Sequence, residues 1–228
     1  MNTTQSILSG CMGAAILATP AQARVFAGTF GAGFSIPDND PAGAQSSIVA
    51  PAMPFAYSLT VTVAFPITVA AGAHPWIGDL VATLTFAPDD GGPVLSQDLF
   101  RRVGATSPTS HGDSSDMRGT FQFSNVLPTS MNLWDAAAAA GPSAPVAPGA
   151  YMPSTRNHEY QYQPLNFADA FGYTTGPGTW TLNISDHATS NVGAVLHWQL
   201  DSYVPAPGPS SAIIAFGLAG LRRVRRLS

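Results

Sequence analysis

The sequence predicts an all-β fold: a jelly-roll-like antiparallel β-sandwich with one short helix, flanked by an N-terminal signal peptide and a short C-terminal apolar helix. Three observations carry this expectation. The 228 residues include 22 Gly and 20 Pro, so turns come often and long helices find little room. Hydrophobic residues make up 45% and charged residues only 10%, enough apolar surface for a core and too little charge for a disordered chain. Several segments also alternate apolar and polar side chains with period two, as a half-buried antiparallel sheet does.

In chain order, residues 1–23 read as a secretory signal. Ile7 to Leu17 is mostly small and apolar, and Ala21-Gln22-Ala23 is the A-x-A pattern that precedes a cleavage point. Processing is therefore expected after Ala23. The only cysteine, Cys11, falls inside this segment. Residues 24–204 then hold neither a disulfide nor a cysteine-based metal site.

The alternating segments follow. In Tyr57–Phe65, Leu59, Val61, Val63 and Phe65 share one face and Thr60 and Thr62 the other. Leu80, Ala82, Leu84 and Phe86 share a face, as do Phe121 and Phe123 in a shorter run. Trp180, Leu182 and Ile184 alternate with Thr181, Asn183 and Ser185; Leu196, Trp198 and Leu200 alternate with His197, Gln199 and Asp201. At least five strands with Gly, Pro and Asp turns between them suit a sandwich or jelly roll. Asp89-Asp90-Gly91-Gly92 reads as a hairpin loop. The one expected helix is Leu133–Ala140, capped by Asn132 and stopped by Gly141.

Residues 205–228 form a third segment. Val204-Pro205-Ala206-Pro207-Gly208-Pro209 is a stiff, extended breaker. Ala212 to Leu221 is apolar, and Arg222, Arg223, Arg225 and Arg226 follow at once. This order resembles a PEP-CTERM sorting signal, with Ala206 where that signal usually carries Glu. The apolar run of about 12 residues makes roughly 18 Å of helix against a ~30 Å hydrocarbon core, so spanning needs tilt, thinning or snorkelling Arg. The Arg cluster would stay cytoplasmic by the positive-inside rule. The resemblance implies transient inner-membrane anchoring, cutting near Pro205 and Pro207 by an exosortase-type enzyme, and delivery to the surface of a Gram-negative bacterium.

Charge narrows the partners. The chain has no Lys, and residues 24–208 hold five Arg against all thirteen acids, a net charge of −8. No basic face for nucleic acid can be built from so few cations. An acidic surface does suit divalent cations. Asp38-Asn39-Asp40 supplies three oxygen-bearing side chains in one turn between Pro37 and Pro41, while Asp79 opens a strand and Asp186 closes one. Asp in turns also caps its own backbone.

Three segments together resemble the P/Homo B domain of proprotein convertases and bacterial subtilisin-like proteases. They are Phe34-Ser35-Ile36-Pro37-Asp38-Asn39-Asp40-Pro41; His74-Pro75-Trp76-Ile77-Gly78-Asp79-Leu80-Val81-Ala82-Thr83-Leu84; and Gly178-Thr179-Trp180-Thr181-Leu182-Asn183-Ile184-Ser185-Asp186, with Gly193 and Leu196–Leu200 after it. The similarity covers residues 28–204. It implies a jelly-roll sandwich with acidic residues gathered at one end, and a calcium site there built from Asp38, Asp40, Asp79 and Asp186.

That family usually accompanies a serine protease domain, for which this chain has no room. No G-x-S-x-G elbow is present. Ser110-His111-Gly112-Asp113-Ser114 puts Ser, His and Asp side by side, where they cannot easily line up as nucleophile, base and orienter. His158-Glu159 lacks the second His of a zinc-protease motif. The expectation is a secreted, surface-sorted, non-catalytic module that stabilises or adheres within an extracellular matrix. Two alternatives stay open: an accessory domain acting with a separately encoded serine endopeptidase, and a carbohydrate-binding jelly roll. The latter would use exposed aromatics such as Tyr151, Tyr160, Tyr162 and Tyr173. His74 and His197 flank Trp residues and read as structural.

Overall fold

Two aromatic-rich strand faces meet to form the core. The computed structural model describes residues 22–52, 59–125, 131–172, 174 and 176–205, and one unit runs Ala23–Val204. In chain order the elements are β1 (Gln22–Ile36), β2 (Ala44–Ala50), β3 (Leu59–Phe65), β4 (Leu80–Pro88), β5 (Leu95–Arg101), β6 (Gly119–Ser124), α1 (Leu133–Ala140), β7 (Gly149–Tyr151), β8 (Ser154–Arg156), β9 (Tyr162–Pro164), α2 (Phe167–Phe171), β10 (Gly178–Asp186) and β11 (Gly193–Pro205). Short 3-10 turns lie at Val69–Ala71 and Ile77–Asp79.

One sheet has the order β1-β11-β3-β6-β7 and the other β2-β10-β4-β5, with β8-β9 as a separate ribbon. β10 is antiparallel to both β2 and β4, with Trp180 opposite Ile48 and Phe86. Leu182, Ile184 and Leu84 are fully buried beside them. Phe100 of one sheet stacks on Phe123 of the other, ring centroids 5.6 Å apart, so the two sheets form a sandwich. The pair β6-β7 is parallel, a departure from the purely antiparallel expectation.

Helix α1 runs as expected. Asn132 accepts the amide of Trp134, and Gly141 ends the helix at φ 82°, backbone that costs Gly little. A second helix, α2, was not anticipated. Asn166 caps it, and Phe167 and Phe171 are buried. Phe171 lies 5.0 Å from Trp180 edge-on, so core packing rather than a periodic pattern forms this five-residue turn.

Leu196 departs from the alternation. It is 55% exposed, while Val195 and Trp198 are both buried, so the two-residue period breaks between them. The central strand β3 is largely buried on both faces: Thr60 and Ala64 are hidden along with Val61 and Val63, and only Thr62 is half-buried. The acid pair Asp89-Asp90 sits in the β4–β5 hairpin as expected, with Asp90 accepting the amide of Gly92 at 3.0 Å.

The expected signal peptide and sorting segment lie outside the described residues, apart from Gln22 and Ala23 in β1 and Pro205 at the end of β11. Pro207 and the Ala212–Leu221 run also lie outside them. Among the described residues no helix is long and apolar enough to cross a membrane.

Candidate functional site

Strand register assembles the chemistry-bearing corner of the sandwich. Asp186, the last residue of β10, pairs with Leu80, the first of β4. Asp79 immediately precedes Leu80, so two acids some hundred residues apart in sequence arrive side by side. The amide of His187 donates to the Asp79 carbonyl at 2.9 Å and extends that pairing. Both carboxylates are buried.

Asp186 is fully served. Its Oδ2 lies 3.1 Å from His74 Nε2, and its Oδ1 accepts the Ala188 amide at 2.9 Å. The Trp76 amide donates to His74 Nδ1 at 3.2 Å. Nδ1 is therefore an acceptor, and the ring proton sits on Nε2, aimed at Asp186. His74 and Asp186 have no exposed side-chain surface. They form a structural pair.

Asp79 is only half served. Asn191 Nδ2 donates to its Oδ2 at 3.2 Å. Its Oδ1 is buried with no hydrogen-bond partner, although the residue is 1% exposed. His111 Nδ1 lies 3.8 Å from this oxygen, on a side chain 68% exposed. Burial pushes the Asp79 carboxyl above the usual carboxylate range; the Asn191 hydrogen bond opposes this, and the neighbouring Asp186 charge adds to it. A cavity of about 330 Å³ opens here, lined by Trp76, Asp79, His111, Thr189, Ser190 and Asn191. Ser190 holds φ 85°, a left-handed backbone that is costly for a non-glycine residue.

The loop that carries His111 is anchored from below. The amides of Ile77 and Gly78 donate to the carbonyls of Ser115 and Asp113 at 2.8 and 2.9 Å. Arg102 Nε donates to the Gly78 carbonyl at 2.7 Å, and the same guanidinium reaches the Ser110 carbonyl. Trp76 Nε1 donates to the His111 carbonyl at 2.9 Å. Gly78 is needed for the close approach: a Cβ there would stand 2.2 Å from the His111 carbonyl oxygen and 2.4 Å from the Asp113 amide nitrogen. Gly78→Ala should therefore push the loop off the Asp79 turn. The expected result is a loss of about 2 kcal/mol or more in chemical denaturation, from backbone overlap and broken loop hydrogen bonds. Wild-type stability for this variant would refute the contact.

The four acids of the sequence reading do not form one ligand group. Asp79 and Asp186 are neighbours. Asp38 is exposed, and Asp40 Oδ1 accepts the Ala42 amide at 3.0 Å in its own turn. That turn abuts the same end of β10, since a Cβ at Gly43 would meet the Ile184 carbonyl oxygen at 2.5 Å. Among the described residues no group of three or more His, Cys, Asp or Glu side chains is gathered as metal ligands. Backbone and amide oxygens, which calcium also takes, are outside that statement.

Sequence reasoning missed His111, Asn191 and Arg102 as parts of this corner. His111 was visible as a polar loop residue, but only the loop's docking on Gly78 brings it to Asp79. Of the aromatics considered for sugar stacking, Tyr151 needs correction: it is fully buried, and its hydroxyl donates to the Ala147 carbonyl. Tyr160 and Tyr162 are half-buried, beside Arg156 and Trp134 respectively, and Tyr173 lies outside the described residues. His74 is structural as expected, whereas His197 is exposed and meets Phe30 edge-on at 5.7 Å.

Comparison with known proteins finds no matching family model, no matching curated protein and no matching solved structure.

Proposed function

We propose that the chain is a secreted, surface-sorted P-domain-type module with no catalysis of its own, stabilising or adhering within an extracellular matrix. The observation that supports a binding or structural role is how the corner's polar groups are used. His74 is committed to Asp186, and Arg102 to the carbonyls of Gly78 and Ser110. A general base must have a free lone pair within reach of a substrate proton, and His74 has neither to spare.

Calcium belongs to this proposal. The feature of this corner that fits a hard cation is the buried Oδ1 of Asp79, an acceptor without a donor. Asp79 would hold the ion with Asn191 and loop oxygens, while Asp186, Asp38 and Asp40 supply negative charge from the same end of the sandwich. The ion would lock the 187–192 loop to the start of β4.

Two measurements test the proposal. Mass spectrometry of protein recovered from the cell surface should show a chain that begins after Ala23 and ends near Pro205–Gly208. An intact Arg-rich tail on surface protein would sink the sorting route. Thermal melting with added calcium should show a rise that a chelator reverses; at a concentration a hundredfold above Kd the gain is about 2.7 kcal/mol. An unchanged melting temperature removes the calcium.

A further inference from the structure

Four strands stand at the edges of the two large sheets: β1 and β7 on one, β2 and β5 on the other. An edge leaves a row of backbone N–H and C=O groups unpaired. Folded proteins guard such rows with charge, bulges, brevity or a covering element. Three of these edges are guarded or weakened. β7 is three residues long. β5 carries a bulge beside Asp98, and Thr155 of β8 donates to the Asp98 carboxylate at 2.8 Å, which brings the β8–β9 ribbon against this strand. β1 contains Gly28, Gly31 and Gly33, residues that weaken a strand.

β2 has none of these devices. Its seven residues, Ala44-Gln45-Ser46-Ser47-Ile48-Val49-Ala50, include no charge, no Gly and no Pro. Its register with β10 runs unbroken from Ala44 to Ala50. Among the described residues no strand lies on its other side. Gln45, Ser47 and Val49 are exposed, Val49 to 72%, while Ile48 and Ala50 belong to the core. The strand is well anchored: the Ser47 and Thr181 hydroxyls lie 2.8 Å apart, and Trp198 Nε1 donates to Ser46 Oγ at 2.9 Å. An unbroken, uncharged edge is a template for one more strand.

Charge decides which strand. Residues 24–208 carry a net charge of −8, so two copies repel except where both are neutral, and β2 is such a place. Asp38 and Asp40 lie in the turn just before it. Parallel pairing of two copies would set these acid turns side by side. Antiparallel pairing centred on Ser47 sends them to opposite ends. The two Ala44 residues then stand six positions apart, about 20 Å along the strand and beyond the ~8 Å Debye length. This register puts Ser47 against Ser47 and each Gln45 against the other copy's Val49. The Gln stem covers the exposed valine, and no like charges meet. A two-fold contact of this kind closes on itself. It joins two four-stranded sheets into one of eight strands.

We propose that β2 is a self-association edge, through which two copies of this chain pair antiparallel about Ser47. It goes beyond the module role proposed above and is independent of calcium at Asp79.

The test is light scattering on the purified full chain over a concentration series. Every version carries Cys11→Ser, so that an introduced cysteine is the only thiol. A concentration-dependent dimer is expected. Ser47→Lys sets two ammonium groups face to face and should raise the dissociation constant about tenfold or more. Val49→Lys gives a second reading and should weaken the dimer as well. Gln122→Lys, on an exposed position of β6 in the other sheet, should leave it unchanged. Ser47→Cys should yield a disulfide-linked dimer on mild oxidation. The same cysteine bearing a benzophenone label should, on illumination at the cell surface, give a product of twice the chain's mass. A chain that stays monomeric at every concentration overturns the proposal, and so does a dimer that both Lys variants leave intact. A photoproduct with a different protein overturns it equally, because the edge then serves another partner.

Discussion

Asp79→Asn should make the calcium-free protein more stable at pH 7, by on the order of 1 kcal/mol, because an unmatched buried group costs more when it is charged than when it is neutral. For a domain of this size that is roughly 2–4 °C in melting temperature per kcal/mol. Asn keeps an oxygen for the Asn191 amide and removes a charge that burial and Asp186 both disfavour. The pH dependence follows from the raised carboxyl pKa. The folded state holds its proton more tightly than the unfolded chain, whose value is near 3.8. The wild-type contribution is therefore fully present below that value and is lost as pH rises through the higher folded pKa. The variant should match the wild type in acid, pull ahead as pH climbs, and hold a constant lead once Asp79 is ionised. Added calcium should reverse the order, because only the wild type gains binding energy. A variant that is less stable than the wild type in chelator at pH 7 would refute the account of Oδ1 as an unmatched acceptor.

His74→Leu should have the opposite sign and a larger size. It removes the ring that faces Asp186 Oδ2 in a site with no exposed side-chain surface, leaving a buried oxygen with no donor. Breaking one partner of a buried pair typically costs about 3–5 kcal/mol. The loss should appear as a lower denaturant midpoint with little change in slope, since the unfolded surface is the same. The double variant His74→Leu with Asp186→Leu should recover part of the loss, because two apolar side chains leave no orphaned charge. If the single variant costs under about 1 kcal/mol, the pair does not hold the corner together.

Much of this architecture could be read before any coordinates. The alternation of Trp180–Ile184 marked β10, because a strand half-buried against a core must present apolar side chains at every second position; that of Leu59–Phe65 marked β3, although its second face is covered as well. Asn132 and Gly141 marked the bounds of α1, because each supplies local chemistry that a helix end requires. Leu196 broke the pattern, since local strand geometry, not composition, decides which way a side chain points. Helix α2 escaped notice because five residues are too few to show a helical period; its two Phe anchors matter only once Trp180 is beside them.

The Asp79 corner divides the same way. The residue types were legible as turn acids near Trp and Gly. Which acid is paired and which is left unmatched was not. Those facts depend on register, which sets Asp186 against Leu80, and on the close approach of Gly78 to the His111 loop. Composition and periodicity are local, so by themselves they determined the all-β class, the acidic surface and the main strands. Contacts between residues far apart in the chain arise only when the sheets close, so the tertiary structure alone decided that Asp186 is matched by His74 while Asp79 keeps a buried oxygen without a donor.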